Sequence, residues 1–216
     1  MAFEQTLDHI DDYVKQKTWY WYVPIWLVGL YVFIVLLGFS PNGPEPLIVM
    51  VPQAFDFVLH EMAHIVTAFL PSVLTAAAGS LSEILLGSVL VYSAFKTRSY
   101  FMVMTCSLWF MLACQSAGTY MADARSQKLD LVSLGGALAG ETTALHDWNY
   151  VFGKLHILPL DTFIGGSVRG VGMLVGAFGL VFAAWLMYKM ATATGSRDLT
   201  ADESEFLRQA KTGELG

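Results

Sequence analysis

The amino-acid sequence predicts an all-α integral membrane protein, a polytopic bundle of about five transmembrane helices. The 216 residues are 55% hydrophobic, and the mean hydropathy is +0.53. Charged residues make up only 14% of the chain, against about a quarter in a typical soluble domain. The sequence therefore lacks the polar surface of a water-soluble protein. It also lacks a basic stripe, so nucleic acid is not an expected partner.

Five apolar stretches reach the length of about 20 residues that a helix needs to cross a bilayer. The first opens with Trp19, Tyr20 and Trp21, aromatic residues typical of the lipid headgroup level. It ends at the sequence SPNGPEP, where three prolines cannot continue a helix. The five stretches comprise residues 19–39, 47–70, 75–95, 100–121 and 163–188. We expect a multi-pass protein of the cell (inner) membrane with the lipid bilayer as its surroundings.

The predicted domain organisation is a single transmembrane domain, residues 1–195, followed by a soluble tail, residues 196–216. Between spans four and five, the apolar run 131–140 is too short to cross a bilayer, which favours a re-entrant or interfacial segment. In the tail, Thr200 and Glu203 have capping-box spacing and predict a short helix. The basic residues divide nearly evenly between the two faces of a five-span arrangement, so the sequence alone does not set the orientation.

Span five is rich in glycine, at spacings that allow helices to approach each other closely. Gly166 and Gly170 form one such pair, and Gly172 and Gly176 form another. Small residues four positions apart are typical of packed transmembrane helices. The pattern therefore predicts close helix packing here, and it makes span five a candidate surface for oligomer formation.

A few ionisable residues lie inside the apolar stretches, and three of them form the motif His60-Glu61-Met62-Ala63-His64. An ionisable residue at the bilayer centre costs about 2.5 to 3.5 kcal/mol on insertion scales, so such residues normally have a function. On a helix, two histidines four positions apart project from one face and can bind one metal ion. The glutamate between them can act on a metal-bound water. We expect one Zn²⁺ per chain, with iron as the alternative metal.

A catalytic zinc site needs a third protein ligand, and two carboxylates are candidates. If spans two and three form a hairpin that turns near Pro71, Glu83 lies at the depth of His60. Asp147 is the other candidate, on a segment that could enter the bundle, with His146 beside it. The same depth argument for spans three and four places Gln115 and Ser116 near His64, where they could hydrogen-bond the ligands or a substrate.

The apolar run Phe57-Val58-Leu59 leading into His60-Glu61-Met62-Ala63-His64, in a multi-span chain, resembles the site-2-protease-like family of intramembrane zinc metallopeptidases. The resemblance implies hydrolysis of membrane-embedded or membrane-proximal polypeptides, with Glu61 as general base. It also implies an aspartate ligand from a later span. Here the candidates are Asp123 and Asp147, and neither has the Asn-Pro-Asp-Gly or Leu-Asp-Gly setting of the family. The 18 residues between His64 and Glu83 resemble the spacing of glutamate-ligated zinc peptidases.

Two other functional classes fit the same residues. A metal-dependent membrane lipid hydrolase or oxidase could use His60, His64, Glu83 and Asp147 as ligands, and Glu61 would then be dispensable as a base. A non-catalytic membrane subunit of a larger complex would have a membrane-protein partner instead of a polypeptide substrate. Exchange of Glu61 for Gln distinguishes the peptidase, which would lose activity, from the lipid-directed enzyme. Metal analysis distinguishes both enzymes from a subunit that binds no metal.

Overall fold

The computed structural model describes residues 2–40, 46–129, 131 and 146–212, and within these residues the chain forms helices and no strand. The all-α prediction is confirmed for this part of the chain. Two short 3-10 helices, Trp19–Trp21 and Leu158–Leu160, accompany seven α-helices. The α-helices are α1 (Ala2–Lys15), α2 (Val23–Leu37), α3 (Leu47–Val66), α4 (Ser72–Lys96), α5 (Met102–Ala122), α6 (Asp147–Lys154) and α7 (Asp161–Thr212).

Among the residues that the structure describes, three helical stretches are long and apolar enough to cross a membrane: Trp19–Leu37, Ser72–Lys96 and Leu158–Ala193. This is the pattern of a membrane protein, with fewer such helices than the five predicted. The helices α3 and α5 have 20 and 21 residues and are not among these three stretches. α3 carries the ionisable residues of the motif, and α5 contains Gln115.

The centre of the bundle is α5, and α7 packs antiparallel to it along a line of glycines. A Cβ atom added to Gly165 would lie 2.2 Å from the carbonyl oxygen of Gly118, and one added to Gly172 would lie 2.5 Å from the Cβ of Cys114. Gly176 and Gly179 approach α5 in the same way. Gly166 and Gly170, in contrast, have open space around them. One predicted glycine pair therefore packs within the chain, and the outward pair remains a predicted oligomer surface.

The helices α3 and α4 form the antiparallel hairpin that the sequence predicts. His60 of α3 contacts Glu83 of α4, and four residues later His64 contacts Thr75. α4 is in turn antiparallel to α5, since Gly87 packs against Phe110 near the middle of both helices. Consequently α3 and α5 run in the same direction.

The helix α2 also runs in the direction of α5. Its start lies at the start of α5, where the rings of Tyr22 and Phe101 are 4.5 Å apart. Its last turn packs with the middle of α5, where Leu36 clusters with Met111 and Leu112. Successive membrane spans joined by a short loop would alternate in direction, whereas α2 and α3 are parallel. The structure thus differs here from the predicted succession of five spans, because α2 follows only the first half of α5.

Two further predictions concern the later part of the chain. α7 continues as one helix to Thr212, where the sequence predicts a new helix in the tail at Thr200. The run 131–140, predicted as re-entrant or interfacial, lies outside the described residues except for Leu131.

α1, which the span analysis did not predict, packs against the distal half of α7 through Ile10 and Val14.

Candidate metal centre

Three potential metal ligands converge where the end of α3 meets the start of α6. The Oδ2 atom of Asp147 lies 3.3 Å from Nε2 of His64 and 3.5 Å from Nε2 of His60. One ligand atom from each of the three residues lies within 4.8 Å of the others. Zinc binds histidine nitrogen and carboxylate oxygen at about 2.0 to 2.2 Å, so neighbouring ligands of a tetrahedral site are about 3.3 to 3.5 Å apart. The contacts of Asp147 match that spacing.

Hydrogen bonds behind the cluster fix the direction of both imidazole rings. Nδ1 of His64 lies 2.8 Å from the backbone oxygen of Thr75. A carbonyl oxygen can only accept, so Nδ1 carries a proton, and in the neutral ring the lone pair of Nε2 is directed at the cluster. Nδ1 of His60 lies 2.7 Å from Oε1 of Glu83. Metal-binding histidines typically donate their other ring N–H to a carboxylate or a backbone carbonyl in this way.

This geometry distinguishes the two carboxylates that the sequence left as candidates for the third ligand. Asp147 faces the Nε2 atoms of both histidines, whereas Glu83 faces Nδ1 of His60, on the other side of the ring. Glu83 therefore orients the ring of His60, and its depth on α4 is the depth that the hairpin argument predicts. Gly79 makes room for this arrangement, since a Cβ there would lie 2.4 Å from Nε2 of His60.

The electrostatics of the cluster suit a divalent cation. Burial alone would raise the pKa of Asp147, but hydrogen bonds from His60 and His64, when these rings are protonated on Nε2, outweigh it and lower the pKa to about 2. Asp147 is therefore ionised, as a metal ligand must be.

Tyr120 is a residue of this site that the sequence analysis missed. Its hydroxyl accepts a hydrogen bond from the backbone N–H of Asp147 at 2.9 Å and donates one to Oδ2 at 3.2 Å. These two bonds hold both the backbone and the carboxylate of Asp147. A tyrosine near the end of a span is usually interpreted as an interfacial anchor, so nothing in its sequence setting indicated this role.

The position of α6 depends on bonds to α4 and to the end of α5. The indole N–H of Trp148 donates to the hydroxyl of Ser80 at 3.0 Å, and the side-chain amide of Asn149 donates to the carbonyl of Ala124 at 2.7 Å. Trp148, Val151 and Phe152 are buried in a shared apolar cluster. α6 is therefore docked on the bundle, and Asp147 lies in its first turn.

His146 and Asp123 lie beside the cluster and support it. His146 is the N-cap of α6, where its Nδ1 accepts from the backbone N–H of Asn149, and its ring lies 4.4 Å from the ring of Tyr120. Nε2 of His146 is 3.5 Å from Asp123. Burial acts to raise the pKa of Asp123, but hydrogen bonds from the Ser126 hydroxyl and from two backbone N–H groups lower it overall. Asp123 is thus held by bonds within the segment that follows α5 and is not one of the three converging residues.

Three other polar residues of the spans form no hydrogen bond with the cluster within the described residues, and two of them bond elsewhere. Oε1 of Gln115 accepts from Nε of Arg169 at 2.8 Å, on the side of α5 that faces α7. Within the described residues, Ser116 forms no hydrogen bond with the histidines or with Asp147. Asp56, one turn before His60, accepts from the indole N–H of Trp109 at 2.9 Å. Gln115 therefore lies on the α7 side of α5 and not beside the histidines, whereas the placement of Ser116 near His64 stays a prediction.

The cluster is reachable from outside the protein. The side chains of His60, His64 and Asp147 are 13%, 23% and 21% exposed. Glu61, the residue after His60, is half-buried. A water molecule or a substrate group can therefore approach the ligand atoms, as a catalytic site with an open coordination position requires.

These three residues can hold one divalent metal ion and leave a coordination position open, and the glutamate of the motif adjoins them. No protein-family model, curated protein or solved structure matches this chain. Its function must accordingly be inferred from the geometry of this centre.

Proposed function

We propose that the protein is an intramembrane zinc metallopeptidase that cleaves membrane-embedded or membrane-proximal polypeptides. The observation that carries the proposal is the tetrahedral spacing of Asp147 to the two motif histidines, with Nδ1 of each histidine already engaged. In the proposed site His60, His64 and Asp147 hold one zinc ion, and the fourth position is open. Iron fits the same ligand types less specifically.

The chemistry that zinc supplies when bound is activation of a water molecule and polarisation of a carbonyl. Glu61 accepts the proton of the attacking water and transfers it to the leaving amine, as a general base and then a general acid. Glu83 and the carbonyl of Thr75 keep the two imidazoles in the tautomer that presents Nε2. Tyr120 holds Asp147 in register with them.

The surroundings of the centre support a substrate from the membrane. Large apolar side chains are exposed at the same end of the bundle, on the last turn of α3, on the loop that follows and around the start of α7. They are Ile65, Val66, Phe69, Leu155, Leu160 and Phe163. Exposed apolar surface of this extent is typical of contact with lipid or with an apolar partner. We infer that α3, α4, α5 and α7 cross the cell membrane as a multi-pass bundle, with α2 beside the first half of α5.

The experiment that tests this function compares the wild-type protein with Glu61→Gln in the same detergent or vesicles. Both are loaded with zinc and incubated with a set of single-span polypeptides, and fragments are identified by mass spectrometry. We expect equal zinc content in the two proteins. The wild type should cleave the polypeptides, and the variant should cleave them at least about 100-fold more slowly. A variant that cleaves at the wild-type rate would contradict the role of Glu61 and favour the lipid-directed or oxidative alternative.

A further inference from the structure

The bundle has two distinct ends, and the first of them is the α1 end. It contains α1, the start of α2, the turn between α4 and α5, and the distal part of α7. Ile10 and Val14 of α1 cluster there with Tyr100, Leu186 and Met190. Nζ of Lys189 contacts the carboxylate of Asp11. These contacts join the N-terminal helix to the second half of α7.

The opposite end is the α6 end. It contains the last turns of α3 and α5, the first turns of α4 and α7, and the whole of α6. Arg125 and Asp161 form an ion pair of 2.8 Å at this end. The ligand cluster lies here as well, since Asp147 is the first residue of α6 and His64 contacts Thr75 in the second turn of α4. The candidate metal centre is therefore much closer to one end of the bundle than to the other.

The basic residues are distributed unevenly between the two ends. Of the twelve Lys and Arg residues in the chain, three lie at the α6 end and one, Arg169, lies within α7 between the ends. The α6 end has Arg125, Lys128 and Lys154. The other eight belong to the α1 end or to the continuation of α7 beyond it: Lys15, Lys17, Lys96, Arg98, Lys189, Arg197, Arg208 and Lys211.

This asymmetry follows from the parallel directions of α2 and α3. If the five apolar stretches alternated in direction, Lys15 and Lys96 would lie on opposite faces, and the basic residues would divide nearly evenly. In the structure α3, α4, α5 and α7 alternate, while α2 begins at the α1 end and follows only the first half of α5. Lys15 and Lys96 thus lie at the same end.

From this distribution we infer that the α1 end faces the cytoplasm and that the metal centre opens on the opposite face of the membrane. Lys and Arg in the segments flanking membrane helices are retained on the cytoplasmic side, and Asp and Glu have little influence. The acidic residues of α1 therefore do not oppose this orientation. In combination with the proposed peptidase function, on which this step rests, the substrate is a polypeptide segment at or near the non-cytoplasmic surface.

The orientation is tested by labelling intact cells with a membrane-impermeant maleimide. Gly153→Cys places a thiol on exposed α6, where an added Cβ meets no atom within 4 Å. Thr97→Cys is the matched variant, exposed in the turn between α4 and α5. The unaltered chain is the background control, since its Cys114 is buried and its Cys106 is half-buried. Permeabilised cells give the total reactivity of each thiol.

We expect modification of Gly153→Cys but not of Thr97→Cys in intact cells, and modification of both after permeabilisation. The reverse pattern would overturn the orientation. Labelling of both thiols in intact cells, or of neither, would also overturn it, because the two ends would then not lie on opposite faces with α6 outside.

The substrate side is tested separately with a single-span reporter polypeptide that carries a different tag on each side of the membrane. Co-expression with the wild type should release the non-cytoplasmic tag, and Glu61→Gln should not release it. Release of only the cytoplasmic tag would contradict the inference. If labelling shows the predicted orientation and neither tag is released, the peptidase function fails while the orientation of the centre stands.

Discussion

The α3–α4 contact and the α5–α7 contact differ in the residues that form them. Along α5 and α7, glycines bring the two backbones together, and an added Cβ at Gly165 would overlap the carbonyl of Gly118. Between α3 and α4, polar bonds bridge the helices, from His60 to Glu83 and from His64 to Thr75. The α5–α7 contact is buried, whereas the α3–α4 contact leaves the candidate ligand atoms partly exposed.

The α5–α7 contact thus serves mainly the stability of the bundle, and the α3–α4 contact carries residues of the candidate metal centre. Packing through small residues is a main source of association between membrane helices, because lipid tails provide no hydrophobic drive for it. The α5–α7 contact can therefore support the fold mainly through small residues, with the bond from Arg169 to Gln115 beside them. The α3–α4 contact can carry histidines because small residues of α4, such as Gly79, leave space for them.

The largest effect on the fold is expected from a methyl group placed in the α5–α7 contact. Gly165→Ala forces the two backbones apart, so we expect a loss of about 1 to 3 kcal/mol or more in the free energy of unfolding. Gly166→Ala is the matched control, since its Cβ meets no atom within 4 Å, and alanine favours a helix by about 1 kcal/mol. Unfolding by denaturant in detergent measures both. Equal stabilities would show that this contact does not support the fold.

A smaller effect, on metal affinity rather than on folding, is expected when Glu83 is replaced. Glu83→Ala removes the acceptor behind Nδ1 of His60, and loss of such a partner typically weakens metal binding 10- to 100-fold. Glu83→Gln keeps a carbonyl oxygen that can accept the same N–H, so it should recover most of the affinity. Zinc dissociation constants from chelator competition measure both variants. If Glu83→Ala abolishes binding as completely as loss of Asp147 does, Glu83 is itself a ligand.

The smallest effect is expected at Tyr120. Tyr120→Phe removes the hydroxyl that bonds both the N–H and the carboxylate of Asp147, while the ring stays against His146. We expect up to about tenfold weaker zinc binding, with unfolding free energy changed by no more than about 1.5 kcal/mol. Tyr150→Phe, an exposed tyrosine of α6, serves as the control. An affinity unchanged from that of the control would remove Tyr120 from the site.

Much of this arrangement could be predicted from the sequence, because depth along a helix depends only on residue number. The hairpin rule gave the level of Glu83 relative to His60. It could not give the rotation of each helix about its axis, so it did not show that Glu83 faces Nδ1 or that Gln115 turns toward Arg169. Rotation depends on packing, here on Gly79, Gly118 and their neighbours.

Two other features were beyond the sequence for different reasons. Asp147 comes from a connecting segment, where no periodicity links a residue number to a position, and its docking depends on bonds such as that from Trp148 to Ser80. The direction of α2 was missed because its length and composition fit a complete membrane span. Only its contacts with Phe101 and Leu112 show that it is parallel to α3.

The central claim is that His60, His64 and Asp147 bind one metal ion, and metal stoichiometry tests it most directly. Four proteins would be purified without chelator, supplied with zinc, desalted and analysed by elemental mass spectrometry. They are the wild type, His60→Ala, Asp147→Asn and the exposed-aspartate control Asp12→Asn. We expect close to one zinc per chain for the wild type and Asp12→Asn, and little or none for the other two. A wild-type protein without zinc, or Asp147→Asn with the full amount, would contradict the claim.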